Sequence, residues 1–163
     1  MPRLADLIAP LENSSLADSI RENDLLFPLI ESVHVLSICL VVGSILIVDL
    51  RLLNLASRNR SVTELTREVL PFTWGAFALA AVTGGLLFTS SALKYSQNLQ
   101  FKTKMLLLII AGANMLVFQL YTYRTVASWD RSAPPTGARV AGALSLALWF
   151  GVMSLGRWIG FTT

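Results

Sequence analysis

Long apolar stretches alternate with short charged ones along the chain, and that alternation sets the elements. Ser32–Val48 runs 17 residues without Asp, Glu, Lys or Arg, Val69–Leu93 runs 25, Met105–Tyr123 runs 19 and Val140–Gly156 runs 17. A helix needs about 20 mostly apolar residues to cross the hydrocarbon core, with a lower bound near 17. The pattern predicts four membrane-spanning helices, at about residues 28–52, 70–92, 103–124 and 138–159, in a single membrane domain over 1–163. Inside a bilayer the backbone finds no water to bond, so each run is expected to be helical. The predicted fold class is all-α, an integral membrane four-helix bundle with a short amphipathic N-terminal helix.

The segments between the runs carry turn and cap chemistry. Residues 1–24 read as a polar surface segment, with Asp6, Glu12, Asp18, Glu22 and Asp24 against Arg3 and Arg21, and not as a cleavable signal peptide. Asn13, Ser14 and Ser15 offer a helix start, and Leu16 and Ile20 stand four apart, as in a helix lying at a membrane surface. Pro28 suits the first turn of the first span. Ser61 and Glu64 have capping-box spacing, which predicts a short helix in the loop before a second span starting near Pro71. Pro134, Pro135 and Gly137 mark the turn into the fourth span.

Composition agrees with this reading. Apolar residues make up 54 % of the 163 and charged residues 14 %, against roughly 25 % charged in soluble domains. The net charge of +3 calls for no nucleic-acid partner. The one cysteine, Cys39, has no intrachain partner for a disulfide. Four spans put both termini on one side, with Arg3, Arg21, Lys94, Lys102, Lys104 and Arg157. The other side holds Arg51, Arg58, Arg60, Arg67, Arg124, Arg131 and Arg139. The tally is near balance, but the most basic short loop follows the first span. Its cytoplasmic placement predicts periplasmic termini in a bacterial inner membrane.

Small residues repeat every four positions at Ala76, Ala80 and Gly84 and at Ala143, Ala147 and Gly151. Such stripes let helix backbones approach, within a chain or between copies, which predicts a homo-oligomer in the lipid bilayer. Trp74, Tyr121, Tyr123 and Trp158 are placed as interfacial anchors.

His34, the one histidine, lies about two turns inside the first span. Imidazole at that depth is costly unless it is hydrogen-bonded, metal-bound or facing a polar cavity. It is also a common metal ligand and axial haem ligand. Ligation and a plain interhelical hydrogen bond both stay open. Glu31, three residues earlier, shares its face and is a candidate to fix the ring's tautomer; a glutamate facing water is the alternative. Lys104, at the start of the third span, falls near the depth of His34. It and Lys102 are candidates for an anion such as a propionate, or for snorkelling to the interface. Asp49 lies about 22 Å along the helix from His34, so Asp49 and Arg51 are expected to serve caps, ion pairs or topology. Asn114, Gln119 and Thr83 read as helix–helix glue. Met105, Met115, Met153 and Cys39 are soft ligands in type, but they lack the clustering of a copper site. No hydrolase triad, phosphate loop, zinc spacing or haem-attachment motif is present.

Glu31-Ser-Val-His-Val-Leu, Val42-Gly43, Asp49-Leu-Arg-Leu-Leu, Trp74-Gly-Ala-Phe, Thr83-Gly-Gly-Leu-Leu-Phe, Phe101-Lys-Thr-Lys and Gly112-Ala-Asn together resemble an uncharacterised family of bacterial four-helix inner-membrane proteins. The resemblance covers roughly residues 26 to 125. It implies a histidine near the end of the third span, where this chain has Gln119. His34 and Gly43, nine residues apart, are also similar to a pattern in HemJ-type protoporphyrinogen oxidases and in CopD-like copper proteins. Lys102 or Lys104 matches a HemJ-type lysine. That similarity implies haem b, or copper, held through His34, and a redox partner or quinone. The expectation is a membrane-embedded haem protein with an electron-transfer or oxidase role. The alternatives are a cofactor-free oligomer that assists a complex or binds lipid, and a copper protein.

Overall fold

The computed structural model describes residues 4–162. Met1, Pro2, Arg3 and Thr163 lie outside the described residues, and so does the start of the surface segment, with the side assigned to Arg3. In chain order the helices are α1 (Leu4–Glu12), α2 (Ser15–Glu22), α3 (Leu26–Leu52), α4 (Val62–Ser90), α5 (Ala92–Gln97), α6 (Leu99–Val117) and α7 (Thr136–Thr162). The third long helix continues past Val117 as a π-helical turn, Phe118–Thr122, and a 3-10 turn, Tyr123–Ser128. Four helical stretches are long and apolar enough to cross a membrane: Leu26–Leu52, Val62–Ser90, Leu99–Ser128 and Thr136–Thr162. The chain is an all-α membrane bundle.

The second long helix begins well before Pro71. Ser61 Oγ accepts from the Glu64 N–H at 3.0 Å, and the helix runs without a break through Pro71 to Ser90. The loop helix and the second span are therefore one element. Its polar first turns, with Glu64, Arg67 and Glu68, stand ahead of the apolar stretch. Proline inside a membrane helix forfeits one donor, and neighbouring groups absorb that loss.

Packing follows the order α4–α3–α7–α6. The α3–α4 and α6–α7 interfaces are the largest, α3 meets α7 in the middle, and α4 and α6 share almost no packing. The outer pair is nevertheless tied at both ends. At one end the rings of Phe88, Tyr95 and Phe101 stand 5.4 to 6.4 Å apart and join α4, α5 and α6. At the other the Asp130 carbonyl accepts from Val62 N at 3.1 Å, and its carboxylate accepts from Thr63 N at 2.8 Å.

That second end is held by Arg51, which is fully buried. Its Nε donates to the Arg60 carbonyl at 2.9 Å, and Nη2 donates to the carbonyls of Asp130 and Ser132 at 3.1 and 3.2 Å. One side chain thus fastens the α3–α4 loop to the α6–α7 loop. Leu52, Val62, Trp129 and Ala138 pack into a core beside it, with Val48, Phe118, Tyr123 and Val126 around them. Tyr123 therefore packs against this core.

The N-terminal segment forms two helices where one was expected. Ser14 caps α2 by accepting from Ala17 N, and Ala17 and Ile20 are buried while Leu16 is exposed. Leu16 and Ile20 therefore do not share a buried face. Glu12 accepts from Leu93 N at 2.7 Å, and Arg21 donates to the Ser90 carbonyl at 3.2 Å. These bonds dock α1 and α2 on the α4–α5 corner.

The small-residue stripes serve unevenly. Gly151 receives the Leu107 side chain, 2.9 Å from where a Cβ would stand, but Ala143 and Ala147 are exposed. The closest α3–α7 approach falls at Gly142 instead. A Cβ there would lie 3.2 Å from both the Asp49 carbonyl oxygen and Leu52 Cβ.

Candidate functional site

His34 stands eight residues after the start of α3, about 12 Å along the axis. Thr83 stands seven residues before the end of α4. The two helices run antiparallel, so both fall at one depth. His34 Nδ1 is 3.0 Å from Thr83 Oγ1. The threonine hydroxyl donates to the Leu79 carbonyl at 2.7 Å, with Ala80's carbonyl further off at 3.3 Å. Its proton is therefore committed to its own helix, and its oxygen is left as an acceptor. Nδ1 then carries the hydrogen and donates to Thr83, with the Ala80 carbonyl as a further backbone acceptor beside the ring. Nε2 makes no hydrogen bond among the described residues and is the lone-pair nitrogen.

Gly84 makes room for the ring. A Cβ at that position would lie 2.8 Å from His34 Cε1, 3.4 Å from Nδ1 and 3.6 Å from Nε2. The imidazole thus fills the space that a side chain on α4 would occupy.

Of the residues singled out with His34, none contacts the ring. Lys104 is half-buried beside α7. Its Nζ stands 3.6 Å from where a Gly156 Cβ would be. Lys102 is exposed. Glu31 is exposed and makes no bond to His34; Thr83 holds the ring nitrogen expected to meet Glu31. The charge of Glu31 falls instead on Tyr95, whose phenol pKa is raised, chiefly by burial and then by that carboxylate. Three residues that matter here drew a structural reading or none from the sequence. Thr83 was expected to be helix–helix glue and Gly84 part of a small-residue stripe; their depth on an antiparallel neighbour is the signal that pairs them with His34. Arg51 was expected to serve a cap, an ion pair or topology, and its main-chain partners leave no mark in the sequence.

Asp49 is buried, with its carboxyl toward Ser145 of α7. It forms no ion pair with Arg51: two residues apart on a helix, they point to different sides. Asp49 Oδ2 and Arg51 Nη1 are buried without hydrogen-bond partners. Asn114 donates to the Ala141 carbonyl at 3.0 Å and joins α6 to α7. Cys39 is exposed, and no group of three or more histidine, cysteine or carboxylate side chains comes together among the described residues. Two surface hollows, of about 590 and 570 Å³, lie near Ser61 and Asp130 and near Asn23; neither includes His34.

Four spans with one interior imidazole, bonded at Nδ1 to the neighbouring helix, define an integral membrane four-helix bundle. The chain belongs to the family of unknown function DUF6644, whose sequence model matches residues 25–162. No curated protein and no solved structure matches it.

Proposed function

We propose that this is a membrane-embedded b-type haem protein in which His34 Nε2 is the axial ligand. The observation that carries the reading is the division of labour on the ring. Thr83 holds Nδ1 at 3.0 Å, which leaves Nε2 as the lone-pair nitrogen, the arrangement in which outer-shell partners orient ligating histidines. The chain offers one imidazole donor for a haem iron. Lys104 would stand opposite a propionate, and the exposed Lys102 would serve at the membrane surface. Bound there, the haem would supply one-electron chemistry toward a redox partner or a quinone. The chain's own part is to orient the imidazole, through Thr83 and Gly84, and to keep it in a water-poor layer. With one histidine per chain, His34 would hold the group alone, with a non-histidine side chain, or together with a second copy of the chain.

The similarity to HemJ-type and CopD-like proteins lends this reading only part of its pattern. Gly43 is exposed, with nothing within 4 Å of its missing Cβ. At nine residues from His34 it lies on the opposite side of α3. The support comes from His34 and Lys104.

A second reading is a cofactor-free oligomer that binds lipid or assists a complex. Gly75, Gly85 and Gly112 on the outer helices have open space around them, and small outward residues favour helix association between copies. A copper protein is the third. For the compartment we propose a bacterial inner membrane with periplasmic termini, because the α3–α4 loop carries Arg58, Arg60 and Arg67.

Purification from haem-replete cells tests the leading reading. The expected preparation is coloured, with a Soret band and iron near stoichiometry. A colourless, iron-free protein overturns it, with copper pointing to the third reading and a stoichiometric partner to the second.

A further inference from the structure

We propose that Asp49 is a proton-binding site, and that losing the proton parts α3 from α7 at the end fastened by Arg51. The site stands apart from the haem reading, because His34 lies about 22 Å away along α3.

Asp49 is 5 % exposed, and its Oδ2 is buried without a hydrogen-bond partner. The carboxyl turns toward Ser145 of α7. Among the described residues no cation stands within ion-pair distance of it. The charges on the elements around it are engaged elsewhere or exposed. Arg51, on its own helix, gives Nε and Nη2 to three loop carbonyls. At the start of α4, Arg60 pairs with Glu64 and Glu68, and Arg67 is exposed. On α7, Arg139 donates to the Pro134 carbonyl at 3.1 Å. In the α6–α7 loop, the Asp130 carboxylate accepts from Thr63 N. A bare carboxylate buried among apolar helices without a counter-charge is costly.

What neutralises Asp49 has to be small. A Cβ on Gly142 would lie 3.2 Å from the Asp49 carbonyl oxygen, so the backbones of α3 and α7 are close there. Neither surface hollow reaches Asp49. A metal cation needs several oxygen ligands and room for itself; one carboxyl and one serine hydroxyl supply neither. A proton on the carboxyl needs no room, and the neutral acid can donate to Ser145. Removing that proton leaves an anion in a dry contact. Water reaches it only if α3 and α7 separate, because the backbone of Asp49 is what packs on Gly142. Arg51 stands two residues further on, so the same movement loads the bonds that fasten the two loops.

The test uses full-length protein in neutral detergent. Infrared spectra across pH, in sodium and in choline buffers, read the carboxylic-acid C=O stretch. Amide hydrogen exchange, corrected for its intrinsic pH dependence, reads protection at residues 49–53 and 138–146. Exposed carboxyls are ionised at neutral pH, so a carboxylic-acid band there in wild type reports a buried acid. Asp49→Asn should remove the band, and the double variant Glu64→Gln, Glu68→Gln should keep it. Protection should fall about tenfold for each pH unit leading up to the pH at which the band disappears, then level off, as proton linkage requires. Asp49→Asn, which is neutral throughout, should stay protected without that slope. A wild type with no such band at neutral pH, or a band that survives Asp49→Asn, overturns the site. So does a band that responds to sodium. A band that disappears while protection holds overturns the parting of the helices. The coincidence of the two readouts in wild type carries the test even where the variant fails to fold. None of these outcomes depends on haem at His34.

Discussion

The imidazole of His34 rests where a side chain at Gly84 would be: a β-carbon on that residue would stand 2.8 Å from Cε1. Two helices meet there through a ring on one and a gap on the other. The adjacent Thr83 supplies the acceptor that fixes which ring nitrogen is free.

Gly84→Ala should therefore push the ring off Thr83 without unfolding the bundle, because the contacted atom is the far end of a side chain. Overpacking of this kind costs about 1–3 kcal/mol. Thermal unfolding in detergent should show that loss, and haem affinity should fall further than stability does. An unchanged affinity would place the ring elsewhere.

Thr83→Val keeps the shape and removes the acceptor. Interhelical hydrogen bonds in membranes contribute about 0.6 kcal/mol on average, so the stability change should be small. Ligand affinity and the imidazole nitrogen chemical shifts should change clearly, and Thr83→Ser should restore both. Shifts identical to wild type in the valine variant would refute the bond.

Arg51→Met should be far more damaging. It leaves three main-chain carbonyls without their shared donor in a partly buried place. A loss of at least about 3 kcal/mol is expected. Proteolysis should begin in the loops at 53–61 and 129–135, while the α5 end stays protected. Cleavage starting at the α5 end would show that Arg51 is not the fastening.

Tyr95 gives the pH dependence. Its phenol is shifted up by burial and then by Glu31, so the folded state holds the proton more tightly than the unfolded chain. The stabilisation is complete below the ordinary tyrosine value, near 10. It is lost as pH rises through the higher folded value. Ultraviolet titration should show a phenol step above the ordinary tyrosine value. Glu31→Gln should lower that midpoint partly, since burial is the larger cause, and Tyr95→Phe should remove the step. A late step that survives Tyr95→Phe would contradict the placement.

The four spans were legible because charge-free runs of the right length have no other use in so short a chain. The start of α4 was not. Glu64, Arg67 and Glu68 look like loop residues when bilayer length is the guide, yet Ser61 caps a helix that simply extends beyond the lipid. The irregular end of the third span, Phe118–Ser128, left no pattern in its apolar residues. At the site, His34 stood out by its cost and Lys104 by its depth. Glu31 was chosen as partner because it is three residues away on the same helix. The structure uses Thr83, 49 positions on, because an antiparallel neighbour presents its own acceptor at that level. Arg51 was hidden for a related reason: nothing in a sequence marks which loop carbonyls will converge.

The most direct test of the central claim is haem titration of His34→Gly with and without free imidazole. The account predicts no Soret shift for the glycine variant alone. Added imidazole should recover a wild-type-like Soret band at one axial position, because Gly84 and Thr83 leave a ring-shaped space with an acceptor at one nitrogen. A glycine variant that binds haem as the wild type does, with imidazole making no difference, would contradict it.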